Sequence, residues 1–457
     1  METSAGEPLS LDDAQILGLE SDAIKGHTGK LIVLEPDAGG DPLSPERLRE
    51  RLRERIDRLP LLRRRIEIPR RGHPVWVEDP APDLDWHLAA HDPGAPLGEA
   101  GFRALAGEIL AERLDHSRPL WRIDAIPLQG GALGLVGRIH HALADGVTAV
   151  RTVAELLWDR PPGGEADPAG GAGAGPGGRA AGAGDTPQPA PVPGAKPPAD
   201  RSGAAPAAEH REPPLLVRLP GALRRELRPG RDTPLDRHIG SDREIAWTVF
   251  PLERLKRIGH GGGGTVNDAV LAVVAGGLRR WLAESGSAPV DLRAQVPVCL
   301  HLRDDDESIG NRDSFLNVEL PLTEPDPASR LRTIASETRE RKLDHDAEAL
   351  YAFFHALGRF RPLYRGVTRV ISGPREFALS VSNVPGPRER PTICGHELRE
   401  FCSFAEPADR HALRVAVISL GGELAFGLCS DPEAIPGLNR LADALEASEV
   451  ELEEAMR

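Results

Sequence analysis

Between Pro161 and Pro214 the chain holds almost no large apolar residue; glycine, alanine and proline dominate. Such a stretch cannot bury enough surface to offset the entropy of ordering it. Cores must therefore form on either side of it. The expected organisation is a first lobe over residues 1–160, a linker over 161–239 and a second lobe over 240–457. At 40% hydrophobic residues both lobes can build cores, and with aromatics at 4% those cores must be mostly Leu, Val, Ile and Ala.

Both lobes alternate strand and helix signals, which predicts an α/β class. Ser44 can cap a helix that begins at Pro45 and turns Leu48, Leu52 and Ile56 to one face. Trp121–Ile126 and Leu133–Ile139 read as a hairpin around Gln129-Gly130-Gly131. In the second lobe, strands are expected at Ile245–Phe250, Leu292–Val298, Phe315–Leu320, Phe377–Ser382, Leu413–Ser419 and Leu424–Cys429. Helices are expected from Thr265, from Asp326-Pro327 and from about Leu438. Two lobes of similar style suggest an active site between them.

The net charge of −14 argues against a nucleic-acid partner, which would need a basic face. Cys299, Cys394, Cys402 and Cys429 form no CxxC pair, so neither a disulfide framework nor a zinc cage is expected. A reducing, cytoplasmic compartment fits this usage. The N-terminus lacks a basic-then-apolar leader pattern, and no apolar run approaches the ~20 residues of a spanning helix. Membrane contact is expected to be peripheral. Leu215–Arg231 and Phe353–Arg375 mix apolar and basic residues and are candidate interfacial segments. Arg63, Arg64, Arg65, Arg70 and Arg71 could meet phosphates or lipid headgroups, or form a solvated patch.

The chemistry concentrates in His140-His141-Ala142-Leu143-Ala144-Asp145-Gly146, an HHxxxDG run at a strand end. A neutral imidazole at His141 can take a hydroxyl proton as the oxygen attacks an acyl carbonyl, and no nucleophilic Ser or Cys is then required. Asp145 could orient the loop or the ring, and Gly146 could permit a tight turn into the next helix. A metal site at His140, His141 and Asp145 is not expected, because adjacent strand residues point apart. Thr265-x-x-Asp268 approximates a capping box, so Asn267 and Asp268 have both a local and a substrate-facing reading. Gly261–Gly264 reads as a flexible turn, since GxxxxGK[ST] is missing.

The segments LDHSRPLWRIDAI and RIHHALADG resemble the bacterial wax ester synthase/diacylglycerol acyltransferases. The resemblance continues through Asn267-Asp268, Gly310-Asn311 and Leu379–Pro387 (LSVSNVPGP), and begins at Leu9–Ser21. HHxxxDG alone also occurs in chloramphenicol acetyltransferases and condensation domains; the ordered set PLW, ND, GN and NVPGP is far more specific. The resemblance implies a two-lobed CoA-dependent acyltransferase fold, like that of chloramphenicol acetyltransferase. It implies direct transfer of a long-chain acyl group from acyl-CoA to diacylglycerol or a long-chain alcohol, at a membrane or lipid-droplet surface. Acyl-CoA would be a co-substrate, with no separate cofactor. His141 would be the general base, with His140, Asp145 and Gly146 as motif partners. Pro119, Leu120, Trp121, Asn267, Asp268, Gly310, Asn311 and Asn383 would be substrate-binding or supporting positions.

Three segments depart from the family pattern: Cys299-Leu300-His301, Cys402–Ala416 and Leu420-Gly421-Gly422. They leave the base intact but bear on the second wall of the cleft. A different hydroxyl acceptor is therefore the alternative to a lipid acceptor. A catalytically idle lipid binder is a further one, against which the intact HHxxxDG counts.

Overall fold

A computed structural model describes residues 6–69, 73–160, 215–226, 233–299, 313–346, 349–350, 352–353 and 376–457. In chain order its first half supplies β1 (Glu7–Pro8), α1 (Leu11–Leu19), β2 (His27–Leu34), α2 (Pro45–Arg55), β3 (Arg64–Glu67), β4 (Val75–Glu78), α3 (Leu84–His87), β5 (Leu88–Ala90), α4 (Glu99–Ala111), β6 (Trp121–Pro127), β7 (Leu133–His140) and α5 (Gly146–Leu157). The second half supplies α6 (Leu215–Glu226), β8 (Glu244–Pro251), α7 (Leu252–Gly261), α8 (Val266–Glu284), β9 (Leu292–Cys299), β10 (Asp313–Leu320) and α9 (Pro327–Leu343). It ends with β11 (Leu379–Val384), β12 (Thr392–Ile393), β13 (His396–Ala405), β14 (Leu413–Leu420), β15 (Glu423–Ser430) and α10 (Leu438–Ala455).

Local chemistry starts the helices where the sequence places them. The Ser44 hydroxyl accepts the Arg47 N–H at 3.2 Å, Pro45 takes the first helical position, and Leu48 and Leu52 are buried. Asp326 caps α9 in the same way, accepting the Ser329 N–H at 2.8 Å. Strand β11 begins at Leu379, two residues later than the apolar run alone suggests, and continues to Val384.

The strands form a first sheet in the order β12-β13-β2-β7-β6-β5, a second in the order β10-β9-β11-β14-β15-β8, and a small β1-β4-β3 sheet. The first sheet is not built from the first half alone. Strand β13 lies antiparallel to β2, from Leu398 opposite Leu34 to Ala405 opposite Thr28. Ile393, Leu398, Phe401 and Phe404 accordingly belong to the first core. Alternating hydrophobicity marks a strand but not the sheet edge it joins, so the sequence is silent on this crossover.

Strand β14 serves both cores by alternation. Leu413, Val415 and Val417 enter the second core, while Ile418 and Leu420 enter the first. The segment before β8 also packs: Ala222, Leu235 and Ile239 are in the second core. Glu226 is buried and accepts from the Arg341 guanidinium at 2.7 Å. The described part of Leu215–Arg231 is thus tied into the protein rather than laid out as an interfacial helix. Phe353–Arg375 lies almost wholly outside the described residues. Among the described residues no helix is long and apolar enough to cross a membrane.

Candidate functional site

The β6–β7 hairpin delivers the double histidine at the end of a buried strand. His140 is the last residue of β7 and is fully buried. Its N–H donates to the Leu120 carbonyl at 3.0 Å, and the His141 N–H donates to the Gly26 carbonyl at 2.8 Å. The Leu143 and Ala144 N–H groups fold back onto the His140 carbonyl, and Asp145 then opens α5. The Asp145 carboxylate accepts the Thr148 N–H at 2.6 Å, so it is the helix N-cap. Gly146 is not among the positive-φ residues. Its constraint is space: a Cβ there would lie 3.3 Å from Val384. The turn reading of Gly146 is corrected accordingly.

The two imidazoles have different surroundings. His140 Nδ1 accepts the Ala142 N–H at 3.1 Å, so Nε2 carries the ring proton and donates it to Glu20 at 2.7 Å. His116 Nε2 meets the same Glu20 oxygen at 2.9 Å. Burial alone would raise the Glu20 carboxyl, but the hydrogen bonds from His116 and His140 outweigh it and lower it to about 2. These three side chains place their ligand atoms within 4.8 Å of one another, close enough for a metal ion. The tautomer opposes that use, since His140 Nε2 would have to lose the proton it donates. Gly26 sits directly over this ring with φ +77°, and a Cβ would fall 2.4 Å from His140 Nε2.

His141 is half-buried, and among the described residues its ring makes no hydrogen bond. Burial holds its pKa down to about 3, helped by His140, Lys30 and Arg414. The ring is therefore neutral and its basic nitrogen unspent. Lys30 is itself 2% exposed, and its ammonium donates to Ser403 Oγ at 2.6 Å and Thr28 Oγ1 at 3.3 Å. Burial lowers its pKa to about 8, against the opposing charge of Asp145. The sequence reading missed Glu20, His116, Lys30 and Arg414. Three of them lie far from the motif in sequence. The one available signal was a charged residue, Lys30, directly before the apolar run Leu31–Leu34.

The structure brings some expected site residues together. Asn383 Nδ2 donates to Asn267 Oδ1 at 3.2 Å, and the adjacent Val384 lies against the start of α5. Asp268 is committed locally: it accepts from the Thr265 N–H at 2.6 Å, the Thr265 hydroxyl at 2.8 Å and the Thr338 hydroxyl at 2.5 Å. Pro119, Leu120 and Trp121 are buried. The Trp121 indole N–H donates to the Leu62 carbonyl at 2.8 Å, and its ring stacks on His87. Asp268, Leu120 and Trp121 thus offer a substrate almost no surface, and their reading shifts from substrate-binding to support. Gly310 and Asn311 lie outside the described residues. Arg63 pairs with Asp57 and Glu78, and Arg64 with Glu7, which leaves less charge for an anion than the raw cluster suggests. Arg70 and Arg71 also lie outside the described residues. A cavity of about 930 Å³ lies apart from this turn, between α4 and the start of β8.

The wax ester synthase/diacylglycerol acyltransferase catalytic-domain family matches residues 9–270, and the corresponding C-terminal domain matches 309–453. A Mycobacterium tuberculosis protein named as a diacylglycerol O-acyltransferase, tgs2, is 28% identical over 97% of this chain and 98% of its own length. A similarly named Mycobacterium bovis protein is 31% identical over 97% of this chain and 90% of its own. Among solved structures, the wax ester synthase/diacylglycerol acyltransferase from Marinobacter aquaeolei VT8 superposes with a TM-score of 0.69 at 23% identity, covering 98% of this chain and 99% of that one. A mutant starter condensation domain of rhizomide synthetase in complex with C8-CoA and Leu-SNAC superposes at 0.58 and 13% identity, covering 99% and 94%.

Proposed function

The chain belongs to the wax ester synthase/diacylglycerol acyltransferase family and is an acyltransferase of that type; on that premise we propose that it moves a long-chain acyl group from acyl-CoA to diacylglycerol or a long-chain alcohol, with His141 as general base. The products are triacylglycerol or wax ester. The observation that carries this reading is the His141 imidazole, anchored through its backbone, half-buried, neutral and, among the described residues, free of hydrogen bonds. Such a group can take the proton of an attacking hydroxyl and return it to the departing thiolate.

No acyl-enzyme is needed. The nearby thiol of Cys429 is pushed up to about 12 by burial, which keeps it protonated and a poor nucleophile. Asn267 and Asn383 meet through their side-chain amides and are assigned to the wall of the substrate cleft. The proposed lipid products suit a cytoplasmic enzyme peripheral on the inner membrane face or on lipid droplets.

Turnover of radiolabelled palmitoyl-CoA by purified protein, offered hexadecanol and dipalmitoylglycerol in parallel, tests the reading. His141→Ala should lower turnover by roughly 10²–10⁴-fold. Ester formation that persists in this variant would remove His141 from its role. No ester from either acceptor with folded protein would favour a different hydroxyl acceptor, the alternative that the departures at Cys402–Ala416 motivate.

A further inference from the structure

The acyl-transfer step proposed above creates a negative charge that none of the residues assigned so far receives. When a hydroxyl oxygen adds to the thioester carbonyl, the carbonyl π pair moves onto oxygen and a tetrahedral oxyanion forms. Preorganised donors at that oxygen are commonly a large contribution to catalysis. Four N–H groups of the motif turn are already committed: His141 to Gly26, Leu143 and Ala144 to the His140 carbonyl, and Ala142 to the His140 ring.

One cation acts electrostatically on the His141 ring and, among the described residues, has its donors unspent. Strand alternation in β14 sends Leu413, Val415 and Val417 to the second core and turns Arg414 to the face that carries Ile418 and Leu420 toward the first. In register, Arg414 stands between Ser380 of β11 and Cys429 of β15. Farther along the same face of β11, Val384 touches the start of α5. Arg414 is half-buried, its Nε is buried without a partner, and among the described residues its guanidinium makes no hydrogen bond or ion pair. The neighbouring carboxylate is already engaged: Glu406 accepts from Arg243 at 2.9 Å and from the N–H groups of Lys25 and Gly26 at 2.7 and 2.8 Å. The other nearby cation is less available, since Lys30 is tied to two hydroxyls and lies beside Asp145.

An unpaired buried guanidinium opposes folding unless something repays its desolvation. The acceptor alcohol, the thioester and the ester product are all uncharged at the reacting atoms. The first negative charge to form beside the base is the oxyanion.

We propose that Arg414 is a further catalytic residue, donating its guanidinium N–H groups to the oxyanion of the tetrahedral intermediate. This rests on the acyl-CoA reading of the site. His141 takes the hydroxyl proton as the new C–O bond forms, and Arg414 holds the resulting alkoxide. The oxygen pair then re-forms the carbonyl, the C–S bond breaks, and the thiolate takes the proton from His141 to leave as coenzyme A.

The test compares two ligands by calorimetry on wild type, Arg414→Met and Arg414→Lys. One is a palmitoyl-CoA thioether, which mimics the ground state. The other is a trifluoromethyl ketone analogue of palmitoyl-CoA, which hydrates and ionises to a tetrahedral oxyanion. Arg414→Met should weaken the ketone by about 10²–10³-fold while changing the thioether less than about 3-fold. Arg414→Lys should recover part of the loss. The melting temperature of Arg414→Met should equal or exceed that of wild type, because an unpaired buried charge is removed. Equal weakening of both ligands, or no weakening of either, overturns the proposal and leaves the acyl-CoA reading standing. Failure of the wild type to bind the thioether defeats the acyl-CoA reading, and the assignment of Arg414 with it.

Discussion

His140 and His141 are sequence neighbours with opposite surroundings. His140 has both ring nitrogens committed, to Ala142 and Glu20, and so fixes the turn rather than acting on substrate. Glu20→Ala removes the acceptor for its ring proton and should lower kcat by roughly 10–100-fold, through misplacement of the turn. Glu20→Gln keeps an acceptor oxygen and should restore most of that loss; equal rates for the two variants would deny Glu20 a positioning role. His141 has a pH consequence of its own. With its pKa lowered to about 3, it is neutral throughout the physiological range. The acid limb of kcat/KM should therefore lie below about pH 5, well under the ordinary imidazole value near 6.5. The sign for stability follows: the unfolded chain binds this proton first, so the His141 contribution falls as pH drops from about 6.5 toward 3. A kinetic limb near 6.5 would mean that burial and the neighbouring cations do not hold the ring neutral.

Whole elements hang on a few buried polar groups. Asp145 starts α5, and Asp145→Ala should cost about 0.5–2 kcal/mol in urea denaturation, while Asp145→Asn preserves the cap. Identical midpoints for wild type and the alanine variant would remove the capping role. The Glu226–Arg341 pair joins α6 to α9, with both side chains almost fully buried. Glu226→Ala leaves a buried guanidinium without this partner and should destabilise by about 3–5 kcal/mol. Denaturation unchanged in that variant would show that α6 is not anchored there. These elements were partly legible in advance. Ser44-Pro45 and Asp326-Pro327 carry their start signals within four residues, so α2 and α9 could be read directly. Glu226 pairs with a residue more than a hundred positions away, and nothing local announces it.

At the scale of the molecule, the second half lends β12 and β13 to the first sheet. Strand β13 completes the first sheet beside β2, and Trp247 of β8 donates to Glu400 of β13 at 3.0 Å. Residues 1–160 expressed alone should therefore fail to fold cooperatively, because β2 loses a neighbour and the first core loses Phe401 and Phe404. A sharp thermal transition by circular dichroism in that fragment would contradict this, whereas co-expression with residues 215–457 should restore one. The α/β class, the hairpin, the placement of the double histidine at a strand end and the family were set by the sequence itself, because strand period, turn residues, helix caps and the HHxxxDG run act over a few residues. The surroundings of His140 and His141 were decided only in three dimensions. Glu20 reaches His140 from the first helix, Lys30 faces the site from β2, and Arg414 comes from a strand of the other sheet. Burial and electrostatics depend on distance in space, and strand pairing sets that distance without leaving a mark in the local pattern.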